Sequence, residues 1–267
     1  MLSNNDLKKR IKNGNILIYP FTEKNIENAN ICVTASKYTW SIGKNKKGKH
    51  VYLFDGGKNQ ICIPAKQCAL IFTNEVVFVG EKLAGECIPR VDLSSRGLSY
   101  NGGPMKPGRA EILKVPIYNQ TEDDMYINVN DRIAVLMFHE LSSKDKKIIK
   151  TKGDNNDEID KFLFECEAQE IVTEIKNYQK KLEDKTSIAE ELRKDINYSK
   201  FKKSNETIVD KIKRNKALTI AILFLLILIG VMVIVGDNPQ YLTLPTTLIS
   251  IDTAVFVGLL LKKYRLE

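Results

Sequence analysis

Two short stretches between residues 90 and 109 carry side chains that could bind an anion. Guanidinium groups bind phosphate oxygens through paired hydrogen bonds, an ammonium adds a point charge, and a glycine lets the backbone approach a ligand. The residues are Arg90, Ser94, Ser95, Arg96, Lys106, Gly108 and Arg109. They suit a phosphate-bearing ligand. Alternatively, these cations are solvated or pair with Asp92 and Glu111 across subunits.

Cysteine and histidine do not form a pattern that predicts a metal site or a disulfide framework. No Cys-x-x-Cys spacing occurs among the five cysteines and two histidines, which are Cys32, Cys62, Cys68, Cys87, Cys166, His50 and His139. The acids beside the cationic stretches, Asp92 and Glu111, are isolated rather than paired. We therefore predict no metal and no cofactor, and separate, reduced thiols of the kind found in the cytoplasm.

A second concentration of positive charge lies at Lys44–Lys49. Such a tract could contact nucleic acid or lipid head groups, but a lysine-rich hairpin tip has the same composition. Because the tract itself contains no aromatic side chain that could stack on bases, we predict no nucleic-acid partner.

The composition excludes a disordered protein. Of 267 residues, 43% are hydrophobic, and 41 Lys and Arg against 33 Asp and Glu give a net charge of +8. A chain of this kind can bury a core. Its first segment, Met1–Arg10, is charged where a signal peptide would need an apolar stretch, so we expect the N-terminal part to stay in the cytoplasm.

Residues 1–141 predict a mainly-β domain. Short apolar runs are separated by Gly, Pro and Asn, and they include Asn15–Tyr19, Val51–Phe54, Cys68–Phe72, Glu75–Val79, Met125–Val129 and Arg132–Phe138. Asn130 and Asp131 predict a turn between the last two runs. A short helix is expected over Asp6–Ile11, with Gly14 as its stop.

Apolar or small residues then recur every three or four positions, as in a coiled coil. The members of this stripe are Phe164, Ala168, Ile171, Ile175, Tyr178, Leu182, Ala189, Leu192 and Ile196. We predict a helical coiled-coil stalk over residues 158–216 that joins subunits, with residues 142–157 as the linker before it. The alternative is an amphipathic helix that packs on its own domain.

Two segments near the C-terminus predict a transmembrane hairpin. Residues 217–235 carry no charge and are long enough to cross a bilayer as a helix, and residues 241–261 are apolar apart from hydroxyls and one acid. Lys and Arg flank the outer ends, whereas the connector carries only Asp237. The positive-inside rule then places both termini in the cytoplasm and the chain in the inner membrane, with the lipid bilayer as a partner.

Asp252 lies near the middle of the second predicted membrane helix. An isolated carboxylate that faces lipid is costly, so Asp252 needs a polar neighbour. In a trimer, three copies could form a ring of the kind that lines cation pores. Alternatively, a protonated Asp252 is hydrogen-bonded between packed helices and nothing is conducted.

Within residues 1–141, several segments resemble bacterial dCTP deaminases in their order along the chain. The opening Leu2–Ile11, followed by Gly14–Ile18, is similar to the N-terminus of that family. Arg90–Leu98 lies where the family has its Arg-Ser-Ser-x-Gly-Arg-x-Gly-Leu signature.

The resemblance continues to the end of this region. Lys106-Pro107-Gly108 matches the family's Asp-Pro-Gly turn, Ile112–Asn119 matches a strand that ends in Tyr-Asn or Phe-Asn, and Tyr126–Leu141 matches its closing strands. The resemblance implies a dUTPase-like β-barrel or distorted jelly roll, a homotrimer and a nucleotide pocket. The predicted stalk and hairpin lie outside it.

The residues that this family uses for chemistry are replaced. The resemblance assigns the general base of deamination to a Glu whose position here is Pro116, and the Ser that assists it corresponds to Val91. The Asp of the Asp-Pro-Gly turn is Lys106, and the family's C-terminal ligand contacts have no counterpart after Leu141. Arg90, which the family uses to contact phosphate, is retained. The resemblance therefore implies ligand binding without the family's catalysis.

Three functions follow from this sequence. The first is a membrane-anchored, catalytically inactive sensor that binds a nucleotide or related phosphate ligand and drives a transmembrane output, such as that of a phage-defence effector. The second is an active dCTP deaminase or dUTP diphosphatase in pyrimidine deoxynucleotide metabolism, with Glu111 or Asp92 as base. The third is a trimeric membrane scaffold.

Overall fold

The computed structural model of the protein describes residues 1–143 and 156–206. The helices are α1 (Asn4–Lys12), α2 (Val91–Ser94), α3 (Asn156–Phe164), α4 (Gln169–Lys181), α5 (Lys185–Lys194) and α6 (Ile196–Ser204). The strands are β1 (Ile16–Tyr19), β2 (Ile26–Glu27), β3 (Asn30–Lys44), β4 (His50–Tyr52), β5 (Phe54–Asp55), β6 (Gln60–Ile63), β7 (Cys68–Val79), β8 (Leu83–Pro89), β9 (Leu98–Ser99), β10 (Gly103–Met105), β11 (Ala110–Asn119), β12 (Met125–Asn128) and β13 (Arg132–Glu140).

The strands form two antiparallel sheets. The larger has the order β10-β8-β13-β3-β7-β11-β9, with β1 on β7 and with β2 and β4 on β3, and the smaller has the order β12-β6-β5. The mainly-β prediction for this region is therefore confirmed. The predicted opening helix is also present as α1, and the hydroxyl of Ser3 caps it by accepting a 3.2 Å hydrogen bond from the backbone N–H of Asp6.

The long strand β3 joins the two halves of the larger sheet. Its first half pairs with β13, its second half pairs with β7 and β4, and the register shifts between Ala35 and Thr39. Such an irregularity bends a strand. Trp40 and Phe72 are fully buried side by side on one face of this bent sheet, with ring centroids 6.0 Å apart. The lysine tract lies at the tip of the β3–β4 hairpin, where Lys44 pairs with His50.

The predicted helical segment over residues 158–216 is present in the part that the structure describes, but it is not one continuous coiled-coil helix. Four separate helices replace it, because Ala168 adopts a left-handed conformation (φ 56°) before α4, while Asp184 and Asp195 cap the starts of α5 and α6. Two members of the predicted seam, Phe164 and Ile196, are 73% and 70% exposed. The alternative, apolar faces that pack on the protein's own domain, is the observed arrangement.

These helices share one hydrophobic core with the sheets. Ile175, Leu182 and Leu192 are buried in the same cluster as the strand residues. Phe201 of α6 packs on Phe21 with ring centroids 4.8 Å apart. Residues Met1–Asn205 accordingly form one compact unit.

The remaining predictions concern segments outside the described residues. Most of the predicted linker 142–157, both predicted membrane helices (217–235 and 241–261) and Asp252 lie there. Among the helices that the structure describes, none combines the length and the apolar character needed to cross a bilayer.

Candidate functional site

The first predicted group lies where β8 ends and α2 begins. Arg90 donates hydrogen bonds of 2.9 and 3.3 Å to the two carboxylate oxygens of Asp92, and a third of 3.2 Å to the thiol sulfur of Cys32. Partial burial alone would raise the pKa of Asp92, but the hydrogen bonds and charge of Arg90 lower it below its ordinary value. The pairing with Asp92 that we considered across subunits thus forms within the chain.

The hydroxyls of this group are turned toward the local backbone. Ser94 Oγ donates to the carbonyl of Arg90 at 3.2 Å, and Ser95 Oγ donates to the carbonyl of Asp92 at 2.9 Å. Arg96 donates to the carbonyl of Tyr126 at 3.0 Å. Each serine oxygen can still accept a hydrogen bond, so this exposed turn keeps some capacity for a ligand.

The second predicted group is the turn between β10 and β11. Gly108 has a φ of +74°, which favours glycine, and its N–H donates a 2.6 Å hydrogen bond to the carbonyl of Val79. Lys106 is exposed, and in the described part of the chain its ammonium has no hydrogen bond or ion pair. Arg109 is half-buried beside it.

The structure does not bring the two groups together within one chain. In the pairing of β10 with β8, Gly103 lies opposite Cys87 and Met105 lies opposite Gly85. The turn at Lys106 is therefore at the opposite end of β8 from Arg90, about 20 Å away along the strand at the usual rise per strand residue.

Strand β11 carries the position that replaces the expected general base. Pro116 is half-buried opposite Leu70, and Val91, which replaces the assisting serine, is 84% exposed. Lys114, two residues before Pro116 and hence on the same face of the strand, lies opposite Phe72. Burial lowers the pKa of the Lys114 ammonium, although the charges of Glu111 and Asp160 act in the other direction. Lys114 was not predicted from the sequence, and a lysine within an otherwise apolar run was the available signal.

A buried carboxylate that we did not predict lies on β7. Both oxygens of Glu75 accept 2.8 Å hydrogen bonds, from the backbone N–H and the hydroxyl of Thr34. Burial outweighs these bonds and raises the pKa of Glu75 above its ordinary value. The signal was an acid within an apolar β run. No cluster in the described residues has the His, Cys, Asp and Glu ligands that would hold a metal ion.

A cleft of about 290 Å³ lies between the sheets and α4, away from both predicted groups. Three of its walls are the rings of Tyr38, Phe54 and Tyr178. None of the predicted ligand-binding residues lines it.

The first 141 residues of the chain match a known protein family. The model described as DCD, dCTP deaminase-like, matches residues 1–141. The chain belongs to this dCTP deaminase-like family. The match confirms the dCTP deaminase-like domain that the resemblance predicted over residues 1–141.

Individual relatives agree with this assignment. The dCTP deaminase of Thermococcus sibiricus is 29% identical over 133 residues, which are 49% of this chain and 80% of that protein. The dCTP deaminase of Pyrococcus abyssi is 27% identical over the same shares.

Two solved structures align with this chain at low identity. The 2′-deoxycytidine 5′-triphosphate deaminase from Agrobacterium tumefaciens aligns with a TM-score of 0.43 and 8% identity, over 52% of this chain. This chain spans about half, 47%, of that one. A dUTPase of Staphylococcus bacteriophage 80alpha aligns with a TM-score of 0.34 and 13% identity, over 52% of this chain and 90% of the dUTPase.

Proposed function

We propose that this dCTP deaminase-like protein is a membrane-anchored, catalytically inactive sensor that binds a nucleotide or a related phosphate ligand. The observation that carries the proposal is Pro116 on β11, at the position where the resemblance places the general base. A proline side chain has no proton to give or take. Arg90, the cation that suits phosphate, is present at the end of β8, and a phosphate there would have to compete with Asp92 for its guanidinium group.

The carboxylates nearest in sequence are poor substitutes for the missing base. Asp92 is held by Arg90 through two hydrogen bonds, and its lowered pKa makes it a weaker base. Glu111 lies five residues before Pro116 on β11, opposite Val77 and on the other side of the register shift between Ile112 and Lys114. On the face of Pro116, the nearest ionisable group along the strand is the ammonium of Lys114.

The separation of the two cationic groups favours a binding unit of more than one chain, and the family resemblance implies that this unit is a homotrimer. Arg90 of one subunit and Lys106 of another can face one phosphate chain only if the ends of β8 from different subunits meet. In such an assembly the ligand lies at a subunit boundary, and its binding shifts how the subunits pack.

The output of the proposed sensor runs through the helices that follow the domain. Because α3–α6 share the core of the sheets, a change in the domain moves the chain that leads toward residues 207–267. There we expect an inner-membrane hairpin with Asp252 in its second helix, and permeabilisation or gating as a phage-defence response.

A binding experiment with product analysis tests this proposal. The purified full chain is heated with dCTP, dUTP, other nucleoside triphosphates or cyclic nucleotides, and the same samples are chromatographed. A ligand that binds only the folded state raises the melting temperature. We expect a shift without product, lost in Arg90→Ala and kept in the control Arg193→Ala, which alters an exposed arginine of α5.

An active enzyme is the second candidate, and the two relatives named dCTP deaminase favour it. Deaminated or dephosphorylated product from the wild-type chain would establish it and overturn the inactive sensor. Asp92→Asn and Glu111→Gln would then show which carboxylate serves as base. If no nucleotide changes the melting temperature and no product forms, the trimeric scaffold replaces both.

A further inference from the structure

The cleft between the sheets and α4 combines three aromatic walls with polar groups that are arranged by the fold. Tyr38 comes from β3, Phe54 from β5 and Tyr178 from α4. The phenols of both tyrosines have raised pKa values, chiefly through burial, so both rings are neutral near pH 7. Neutral aromatic walls favour a flat, aromatic ligand that can stack on them.

The polar lining includes an acceptor whose orientation is fixed. The side-chain nitrogen of Asn74 donates to Thr34 Oγ1 at 3.0 Å, to the carbonyl of Ala35 at 2.8 Å and to Asn130 Oδ1 at 2.9 Å. These three acceptors determine which end of the amide is the nitrogen. The amide oxygen of Asn74 makes no hydrogen bond with any described residue, and Asn74 lines the cleft. It is therefore ready to accept from an N–H group of a ligand.

The charge of the cleft favours an uncharged ligand. Lys37 is its only cation among the described lining residues, and its ammonium donates a 2.9 Å hydrogen bond to Glu174 of α4. The hydroxyl of Tyr38 donates to the same carboxylate at 2.9 Å. Because Glu174 neutralises Lys37, no net positive charge is left for a phosphate.

The size of the cleft limits the ligand to one or two fused rings. About 290 Å³ is at the lower end of the volumes of small-molecule sites. The wall formed by Tyr178 belongs to α4, beyond the residues 1–141 that match the family, so the cleft is complete only with this helix.

We propose that this cleft binds an uncharged, planar nitrogen heterocycle of nucleobase size, stacked on Tyr38, Phe54 and Tyr178 with an N–H donated to Asn74. This site is separate from Arg90 and does not depend on the function proposed above. A ligand here touches both the sheets and α4, and its binding holds the helix against the domain.

Calorimetric titration of the full chain with cytosine, uracil, adenine, hypoxanthine and their nucleosides tests the site. We expect at least one of these probes to bind saturably. Phe54→Leu, which removes a stacking ring but keeps an apolar side chain, should weaken that binding at least tenfold. The matched control Phe164→Leu, at an exposed phenylalanine outside the cleft, should leave it unchanged.

A second pair of variants guards against misfolding. Tyr178→Phe keeps the ring and should bind like the wild type, whereas Tyr178→Leu should weaken binding at least tenfold, with melting temperatures recorded for both. Arg90→Ala should not change base binding, which separates this site from the proposed nucleotide site. Absence of saturable binding for every probe would overturn the proposal, as would loss of binding in Arg90→Ala but not in Phe54→Leu.

Discussion

The indole Nε1 of Trp40 donates a 2.9 Å hydrogen bond to the backbone carbonyl of Glu167. Trp40 is fully buried in β3, within the family domain, whereas Glu167 lies between α3 and α4, beyond it. The bond joins the helical segment to the core of the sheet. Because the helices are attached to the sheet in this way, a conformational change in the β domain can move them although they do not form a separate stalk.

The aromatic anchor of α6 gives the first prediction. Phe201 is fully buried against Phe21, so Phe201→Ala should lower the free energy of unfolding by about 3–5 kcal/mol, the usual cost of deleting a buried phenylalanine ring. Phe164→Ala, at an exposed position, should change it by less than about 0.5 kcal/mol. Urea unfolding followed by Trp40 fluorescence measures both. Equal, small effects would mean that α6 does not stabilise the sheets.

Thiol reactivity tests the junction between α3 and α4. Cys166 is buried there, its backbone bridges to His50, and burial raises the pKa of its thiol to about 12. Since the thiolate is the reactive form, Cys166 should resist maleimide at pH 7.5 until the protein unfolds. Mass spectrometry of labelled peptides measures this, with the half-buried Cys62 as an internal comparison that should react sooner. Fast native labelling of Cys166 would show that the junction opens.

The sequence predicted the β domain well because its signals are local. Alternating apolar runs, the turn at Asn130 and the resemblance from Arg90 to Leu98 all depend on neighbouring residues, and the strands follow them. Two boundaries were missed: the run Val51–Phe54 is divided between β4 and β5, and Cys68–Phe72 and Glu75–Val79 are a single strand, β7. Its middle is polar because Thr73 and Asn74 bond to other strands, which a local pattern does not show.

The helical segment was mispredicted for a related reason. A heptad stripe and an amphipathic face that packs on a sheet share the same spacing, and only the partner surface distinguishes them. Local capping signals were nevertheless present. Asp184 accepts a 2.8 Å hydrogen bond from the backbone N–H of Ser187, and Asp195 caps the next helix. The separation of Arg90 from Lys106 depends on the β8–β10 register and could not be predicted from the sequence.

Glu75 gives a prediction about pH. A carboxyl whose pKa is raised on folding binds more protons in the folded than in the unfolded state, between its ordinary pKa of 4.5 and its raised value. The contribution of Glu75 to stability is therefore fully present below its ordinary pKa, and it is lost as pH rises through the pKa that Glu75 has in the folded state. Urea unfolding from pH 4 to 7 should show the wild type losing stability relative to Glu75→Gln.

A matched carboxylate with the opposite shift provides the control. Hydrogen bonding to Lys37 is the largest of the effects that lower the pKa of Glu174, so its contribution is present above 4.5 and is lost as pH falls through the folded value. Over the same pH range the wild type should gain stability relative to Glu174→Gln. If the wild type changed stability in the same direction relative to both variants as pH rises, the pKa of Glu75 would not be raised by burial.

Lys114 gives the last prediction, because this half-buried lysine lies on the face of Pro116 at a cost to stability. Its pKa is lowered by burial, and among the described residues it has no hydrogen bond or ion pair. A base of this kind destabilises the folded state below its folded pKa, and the penalty disappears as pH rises toward the ordinary value of 10.5. Lys114→Met should therefore stabilise the protein by about 0.5–2 kcal/mol at pH 7, with a smaller gain near pH 10.

The control for this variant is Lys180→Met, at an exposed lysine of α4, which should change the free energy of unfolding by less than about 0.5 kcal/mol at either pH. Urea unfolding of the three proteins measures the effects, and titration with dCTP on the same samples adds a second readout. If the sensor binds phosphate near β11, the ammonium of Lys114 attracts the ligand although it lowers the stability of the fold. The Lys114→Met chain, which lacks this cation, should then be more stable but bind dCTP more weakly. A destabilised Lys114→Met chain would instead show that the ammonium stabilises the fold.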